Sequence, residues 1–141
     1  MIAYIDASVL MRIVLRQPEP LKEWNALERG VASALLTVEG YRTIDQLWHR
    51  NELTEAELAE KRSRFQTFLP RLDIRPLTET VLEAASLPLP TSLATLDAIH
   101  LATAILYRVS QPPDERPIVF ATHDVQLARA ARAMHFEVIG A

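Results

Sequence analysis

The feature that most constrains this chain is the alternation of short apolar runs with longer stretches of helical periodicity. The segments 2–5 and 118–121 are apolar at every position. Such runs are typical of strands buried on both faces of a parallel sheet. Between them, apolar residues recur at the three- and four-residue spacing of amphipathic helices. Strands that alternate with helices predict an α/β fold of three layers, α/β/α, around a mostly parallel central sheet.

The predicted elements follow one another from the first residues to the last. Strands are predicted at 2–5, 31–36, 72–77, 118–121 and 136–139. Helices are predicted after Asp6, across 18–30 with Gly30 as the closing residue, from an N-cap at Thr37, from a capping box at Thr54 and Glu57 to about residue 69, across 78–86, from about residue 96, and after Asp124. The proline-containing segments 87–92 and 111–117 are predicted loops.

Composition limits the chemistry open to this chain. Its 141 residues, 49% of them hydrophobic, predict a single domain over residues 1–141 with one developed core. The absence of cysteine excludes disulfides, thiolate zinc sites and cysteine nucleophiles. The net charge of −3 does not favour nucleic-acid binding through overall electrostatics. Because no targeting segment and no apolar run of about 18 residues is found, we expect a cytoplasmic protein without a membrane anchor.

Four acidic residues fall where an α/β sheet builds its sites. Asp6 directly follows the first predicted strand, Glu39 lies soon after the second, and Asp124 comes three residues after the end of the fourth. Asp97 lies near the start of the helix after the first proline-rich loop. The carboxyl ends of parallel strands meet at one edge, so these carboxylates would repel one another there. A divalent cation relieves that repulsion, and oxygen-only ligands favour Mg²⁺ or Mn²⁺ over zinc.

Each of these acids also has a purely structural interpretation. Asp6, Asp97 and Asp124 all lie near predicted helix N-termini, where the helix dipole stabilises a carboxylate without any function. Glu39 fits a solvated position in a first helical turn. Capping does not explain why three acids share one edge of the sheet. The joint pattern therefore favours a metal-binding active site.

Four segments of the chain together resemble the PIN-domain family, and within it the VapC-type toxins of bacterial and archaeal toxin–antitoxin pairs. The matching segments are Ile5-Asp6-Ala7-Ser8, residues 33–42 with Thr37 and Glu39, residues 95–104 (TLDAIHLATA), and Ala121-Thr122-His123-Asp124 followed by Leu127-Ala128. They occur in the family's order from one end of the chain to the other. The resemblance implies helices around a parallel sheet and a Mg²⁺- or Mn²⁺-dependent endoribonuclease that hydrolyses RNA.

The resemblance also assigns roles to residues and partners. By the family pattern Asp6, Glu39 and Asp97 are the core catalytic and metal-binding acids, with Asp124 as the fourth. Three small hydroxyl residues would support that site by hydrogen bonds, namely Ser8, Thr95 and Thr122. The implied partners are an RNA substrate, a cognate antitoxin protein and a second copy of the chain in a homodimer.

Two arginines are candidates for substrate binding. Arg12 and Arg16 are four residues apart on the first predicted helix, so they share one face and are placed to hold RNA phosphates. Pairing with Glu19 or Glu23 is the competing interpretation. His100, three residues after Asp97, fits a satisfied interior histidine better than a general base.

An apolar stripe in the segment 18–30 is a candidate partner surface. Leu21, Trp24 and Leu27 recur at helical spacing, and an exposed groove of this kind accommodates an amphipathic helix of an antitoxin.

Three other functions compete with the nuclease. Receiver domains need a lysine at the end of a late strand, but Lys22 and Lys61 both lie in predicted helices. Haloacid-dehalogenase-type phosphatases need Asp-x-Asp after the first strand, and this chain has serine as the third residue. A non-catalytic PIN-like module that binds RNA or protein remains the alternative.

Overall fold

A five-stranded parallel sheet organises the computed structural model, which describes residues 1–114 and 117–141. Residues 115 and 116, part of the loop predicted at 111–117, lie outside the described residues. The strands are β1 (Ile2–Ile5), β2 (Arg29–Ser33), β3 (Leu72–Arg75), β4 (Ile118–Ala121) and β5 (Val138–Ile139). They are ordered β3-β2-β1-β4-β5, and every neighbouring pair is parallel. The predicted parallel α/β sheet is confirmed.

Helices cover both faces of this sheet. They are α1 (Ala7–Val14), α2 (Leu35–His49), α3 (Glu55–Phe68), α4 (Glu79–Ala85), α5 (Thr95–Ser110) and α6 (Val125–Ala133). Alternate residues of β1 point to opposite faces, so Ala3 and Ile5 pack with α1, α2 and α3, whereas Ile2 and Tyr4 pack with α5 and α6. Helix α4 packs on α5 through Val81. The three-layer prediction is confirmed.

The segment before β2 differs from its prediction. The predicted helix across 18–30 is reduced to a short 3-10 helix, Trp24–Ala26, and Gly30 does not end a helix. Gly30 lies inside β2 and pairs with Ala3, and a Cβ atom there would come 2.7 Å from Cδ2 of Leu72. A glycine that permits such a close approach looks the same in sequence as one that ends a helix.

Helix α2 begins earlier than predicted. Thr37 is not the N-cap; that position is Ala34, and the first helical residue is Leu35. The hydroxyl of Ser33 accepts a hydrogen bond from the Leu35 N–H at 3.1 Å, so β2 ends at Ser33 rather than at residue 36. Glu39 consequently lies in the second turn of α2, not in the first.

The other predicted helix starts agree with the structure, whereas β2 begins two residues before and β5 two residues after its predicted start. Thr54 and Glu57 form the predicted capping box of α3, and Asp124 caps α6. Two strands are shorter than predicted: β3 stops at Arg75, before the proline at 76, and β5 has two residues. Within the described part of the chain, no helix is long and apolar enough to cross a membrane.

The strand order fixes where a site forms. From β1 the chain proceeds to β2 and β3 on one side, and it then adds β4 and β5 on the other side of β1. The carboxyl ends of β1 and β4 therefore flank the point where the winding direction reverses. Crevices at such points are the usual ligand sites of open α/β sheets.

Candidate active site

Asp6 lies at this reversal point, and both of its carboxylate oxygens accept hydrogen bonds. It caps α1 by accepting the Val9 N–H at 3.3 Å. Ser8 Oγ donates to Oδ1 at 2.6 Å, and Thr122 Oγ1 donates to Oδ2 at 2.8 Å. The side chain is 5% exposed, and this burial raises the pKa of Asp6 despite the hydrogen bonds. Ser8 and Thr122 thus lie where the sequence analysis placed supporting hydroxyls.

The same two hydroxyls join α1 to the loop after β4. Ser8 Oγ accepts the His123 N–H at 2.9 Å, and Thr122 Oγ1 accepts the Asp124 N–H at 3.0 Å. The Asp124 carboxylate accepts the Leu127 N–H at 2.8 Å through Oδ1, as a helix cap does. Capping uses one carboxylate oxygen, so it does not compete with a second role for Asp124.

Glu39 is held by a buried histidine on the neighbouring helix α5. Its Oε1 lies 2.5 Å from His100 Nε2, and His100 Nδ1 lies 2.8 Å from the Tyr4 hydroxyl. Burial raises the pKa of Tyr4, which keeps that hydroxyl protonated. An ionised carboxylate only accepts, so His100 Nε2 donates to Glu39, while His100 Nδ1 shares a hydrogen bond with the Tyr4 hydroxyl. His100, 1% exposed, is the satisfied interior histidine expected, and it positions Glu39.

The charges of all three other acids affect the pKa of Asp97. Asp97 lies in the first turn of α5, and its pKa is raised first by burial and then by the charge of Asp124. Asp6 and Glu39 raise it further, while His100 opposes the shift. Acids at three other elements thus all act on the Asp97 carboxyl.

Thr95 does not take part in this arrangement. It is exposed at the start of α5, and no side-chain hydrogen bond of Thr95 is formed with the described residues. The structure does not bring it to Asp6 as it brings Ser8 and Thr122.

The acids approach one another without forming a closed cage. Among residues 1–114 and 117–141, no three His, Asp or Glu side chains are placed to hold one metal ion together. Mg²⁺ characteristically keeps several waters and is bound through one or two carboxylates. The two acids with raised pKa values, Asp6 and Asp97, match that requirement with oxygen ligands alone. The residues present therefore fit a hydrated divalent ion better than a cage of four carboxylates.

The two candidate substrate arginines both contact other parts of the chain, Arg12 at Glu19, one of the two residues named above, and Arg16 at a residue that was not predicted. Arg12 Nη1 donates to the backbone carbonyl of Glu19 at 3.2 Å, and Arg16 pairs with Glu60 at 3.0 Å. Sequence analysis missed Arg64, which donates to the Val14 and Ile13 carbonyls at the end of α1 from fifty residues away. A contact between residues so far apart in the sequence leaves no local sequence pattern.

The apolar stripe predicted as an antitoxin groove is largely internal. Leu21 is 4% exposed, and it belongs to the core formed with α1, α2 and α3. Trp24 and Leu27 pack against the same core and are only partly buried. Leu21 faces inward and no helix spans residues 18–30, so the three residues do not form the single exposed apolar face that was predicted.

Replacing His100 should test its hold on Glu39. We expect His100→Leu to lose about 1–3 kcal/mol of unfolding free energy, because the Tyr4 hydroxyl and the Glu39 carboxylate lose a partner in a buried place. His100→Gln, which keeps a donor to Glu39, should lose less, as measured by urea unfolding. Equal losses of unfolding free energy in the two variants would show that the hydrogen bond donated to Glu39 does not contribute to stability.

The raised carboxylate pKa values predict a pH dependence of the metal-free protein. The folded state binds these protons more tightly than the unfolded state, so stability falls as pH rises from the ordinary pKa of 3.8 through the raised values of Asp6 and Asp97. Urea midpoints in EDTA across this range should fall less steeply in Asp97→Asn than in wild type. The exposed Glu55→Gln serves as control, and a slope unchanged in Asp97→Asn would contradict the prediction.

Comparison with known proteins supplies the family. The PIN domain model matches residues 3–133. Ribonuclease VapC47 of Mycobacterium tuberculosis is 30% identical over 140 residues, which cover 94% of this chain and 92% of the relative. Ribonuclease VapC46 of the same species is 36% identical over 108 residues, 72% of each chain. A chain in the crystal structure of VapBC2 from Rickettsia felis bound to a promoter DNA fragment shares the fold, with a TM-score of 0.62 and 14% identity over 98% of this chain and 97% of that one. The chain therefore belongs to the PIN-domain family and, within it, to the VapC-type proteins.

Proposed function

We propose that this chain is an endoribonuclease that hydrolyses RNA phosphodiester bonds with Mg²⁺ or Mn²⁺ and serves as the toxin of a type II toxin–antitoxin pair. The observation that carries the proposal is the buried Asp6 carboxylate, which the hydroxyls of Ser8 and Thr122 fix at the carboxyl ends of β1 and β4. The pKa of Asp97, on a separate element, is raised by burial and by the charge of the three other acids. Perturbed carboxylates gathered in a crevice are typical of catalytic sites. The relatives that cover most of this chain are named ribonucleases, which supports RNA as the substrate.

The side chains at this site have different roles in the proposed mechanism. Asp6 and Asp97 would hold the principal ion, and Glu39 and Asp124 would orient water or a second ion. When bound, a divalent cation lowers the pKa of water and neutralises charge that develops on phosphate. Ser8 and Thr122 keep the Asp6 carboxylate in one orientation, and His100 does the same for Glu39. Fixed acceptors of this kind reduce the reorganisation needed at the moment of reaction.

The proposed reaction adds water across one P–O bond. The water oxygen forms a bond to phosphorus in line with the leaving O3′, the P–O3′ bond breaks, and its electron pair leaves with O3′. One water proton ends on that oxygen, so the products carry a 3′-hydroxyl and a 5′-phosphate. The carboxylates of Glu39 and Asp124 accept hydrogen bonds from the attacking water.

The proposal includes two protein partners and a cellular place. The structural neighbour is described as VapBC2, which supports a cognate antitoxin as a partner of this chain. Leu77, Leu82 and Leu87 are exposed in and around α4, an apolar surface that supports a homodimer. We place the protein in the cytoplasm, where its RNA substrate is found.

A second candidate function is a PIN-like module that binds RNA or protein without cutting. The observation in its favour is that no three acidic or histidine side chains of the described residues converge on one ion position. Cleavage distinguishes the two functions directly.

The test is cleavage of a pool of tRNA and structured RNA by antitoxin-free protein, with Mg²⁺ or Mn²⁺ and with EDTA. We expect cutting that needs the metal and leaves 5′-phosphates, which a 5′-phosphate-dependent exonuclease detects. RNA binding without any cutting would establish the binding module. Cutting that persists in EDTA would exclude the metal-dependent mechanism.

A further inference from the structure

A group of basic residues lies away from the four acids, at the C-terminal end of α1. A cavity of about 460 Å³ opens between α1, the 3-10 helix and α3. Three arginines line it, Arg12, Arg16 and Arg64, together with the indole of Trp24. None of the described residues lining this cavity is acidic. In a chain with net charge −3, this cavity concentrates three guanidinium groups beside an aromatic ring, with one carboxylate, Glu60, paired to Arg16.

The three guanidinium groups keep donors for a ligand. Arg12 and Arg16 each use Nη1 for a protein contact, and Arg64 uses Nε and Nη2 on the carbonyls that end α1. A guanidinium has five N–H donors, so several remain on each side chain. The existing contacts fix the guanidinium planes, which reduces the entropy lost on binding.

The backbone of Arg16 adopts a conformation that favours glycine. Arg16 follows the end of α1 with φ of 52°, in the left-handed region. Its N–H bonds the Ile13 carbonyl at 3.2 Å, and the Gln17 N–H bonds the Arg12 carbonyl at 2.9 Å, the arrangement in which helices usually place glycine. Glycine would therefore be less strained than arginine at this position.

The cavity adjoins a second crevice that runs towards the loop after β4. This second crevice, of about 770 Å³, shares Arg12, Pro20 and Leu21 with the cavity and extends to His123, the neighbour of Asp124. Helix α1 begins beside Asp6 and has eight residues, a length of about 12 Å. Asp6 and Arg16 therefore lie at opposite ends of one short helix, with Arg12 between them.

We propose, resting on the proposed function, that this cavity is a subsite for the substrate RNA. Arg12, Arg16 and Arg64 contact one phosphate away from the cleaved bond, and the indole of Trp24 stacks on an adjacent base. Guanidinium groups suit phosphate oxygens, and aromatic side chains stack on bases of any sequence. The subsite therefore contributes affinity for single-stranded RNA without sequence preference.

Arg16→Gly gives a sharp test, because the backbone conformation favours glycine while the charge is lost. Binding is measured by fluorescence anisotropy of labelled single-stranded RNA of mixed sequence in EDTA. We expect affinity to fall about three- to tenfold and the salt dependence of log K to become shallower by about one. The urea midpoint should be unchanged or higher. Glu60→Gln removes the ion-pair partner of Arg16 but keeps the arginine, so it should bind RNA at least as tightly as wild type.

Trp24→Leu examines the stacking surface separately. Affinity should fall about tenfold with an unchanged salt slope, since no charge is lost. RNA affinity and KM for cleavage that stay unchanged in both Arg16→Gly and Trp24→Leu would overturn the subsite while wild-type cleavage upholds the nuclease. Loss of antitoxin binding with intact RNA binding in these variants would assign the cavity to the protein partner and also overturn it. Wild-type protein that neither binds nor cuts RNA would overturn both proposals.

Discussion

Asp6→Asn and Asp97→Asn should each reduce metal-dependent RNA cleavage by at least about a hundredfold without unfolding the protein. Each substitution removes one of the two carboxylates proposed to hold the principal ion, and the stabilisation that a bound cation gives to the transition state is worth several kcal/mol. The measurement is kcat/KM for a cleaved RNA at saturating Mg²⁺, with urea unfolding of the same preparations. Cleavage within tenfold of wild type in Asp97→Asn would contradict the proposed mechanism.

Stability separates this loss from simple damage. Asp97 accepts no hydrogen bond from the described residues and is repelled by three acids, so Asp97→Asn should leave the metal-free protein as stable as wild type or more stable. In Asp6→Asn the new amide faces two hydroxyl groups that donate to the carboxylate in the wild type. We therefore expect the free energy of unfolding to change by about 1 kcal/mol. Loss of activity with retained stability would identify the carboxylate charge as the essential property.

Asp124→Asn is the matched comparison for these variants. Asparagine caps a helix as well as aspartate does, so the bond to the Leu127 N–H is preserved while the charge is removed. Reduced cleavage in Asp124→Asn would give this acid a role beyond capping. Wild-type cleavage would show that capping is its whole role and would leave three acids at the site.

The sequence predicted the sheet edge because the relevant signals are local. A strand buried on both faces is apolar at consecutive positions, and the residue that follows it lies at the carboxyl edge whichever helices cover the sheet. Asp6 and Asp124 were placed in this way. Their hydroxyl supports were assigned through the family pattern, and the structure bonds Ser8 and Thr122 to Asp6 but not Thr95.

Two kinds of error have a physical cause. Helical spacing identified Leu21 as part of an exposed stripe, but the same period describes a side chain that faces the core. The start of α2 was misplaced because Thr37 is a good cap by type, whereas the end of β2 and the Ser33 hydroxyl set the actual start. The contacts of His100 with Glu39 and of Arg64 with Val14 join residues far apart in sequence, so no local pattern reports them.

Gly40→Ala should destabilise the protein by about 3 kcal/mol, although alanine normally stabilises a helix interior by about 1 kcal/mol relative to glycine. A Cβ atom at Gly40 would lie 2.1 Å from Cζ of Phe65 on α3, and two other ring atoms are within 2.7 Å. The Phe65 ring is fully buried and packs edge-to-face against Tyr41 with ring centroids 4.9 Å apart, so it has no free space to enter. Helix α2 would have to move away from α3, and urea unfolding measures the cost.

The double variant Gly40→Ala with Phe65→Leu isolates this contact. Leucine lacks the ring atoms that the new methyl group meets, so the two substitutions together should cost less than the sum of their separate costs. Glu39 precedes Gly40 on α2, and a shift of the helix would also stretch the Glu39 bond to His100. Cleavage should therefore fall in Gly40→Ala and recover in part in the double variant. A Gly40→Ala protein that is more stable than wild type would show that the two helices already have room for a side chain. The close packing of α2 on α3 would then not determine the position of Glu39.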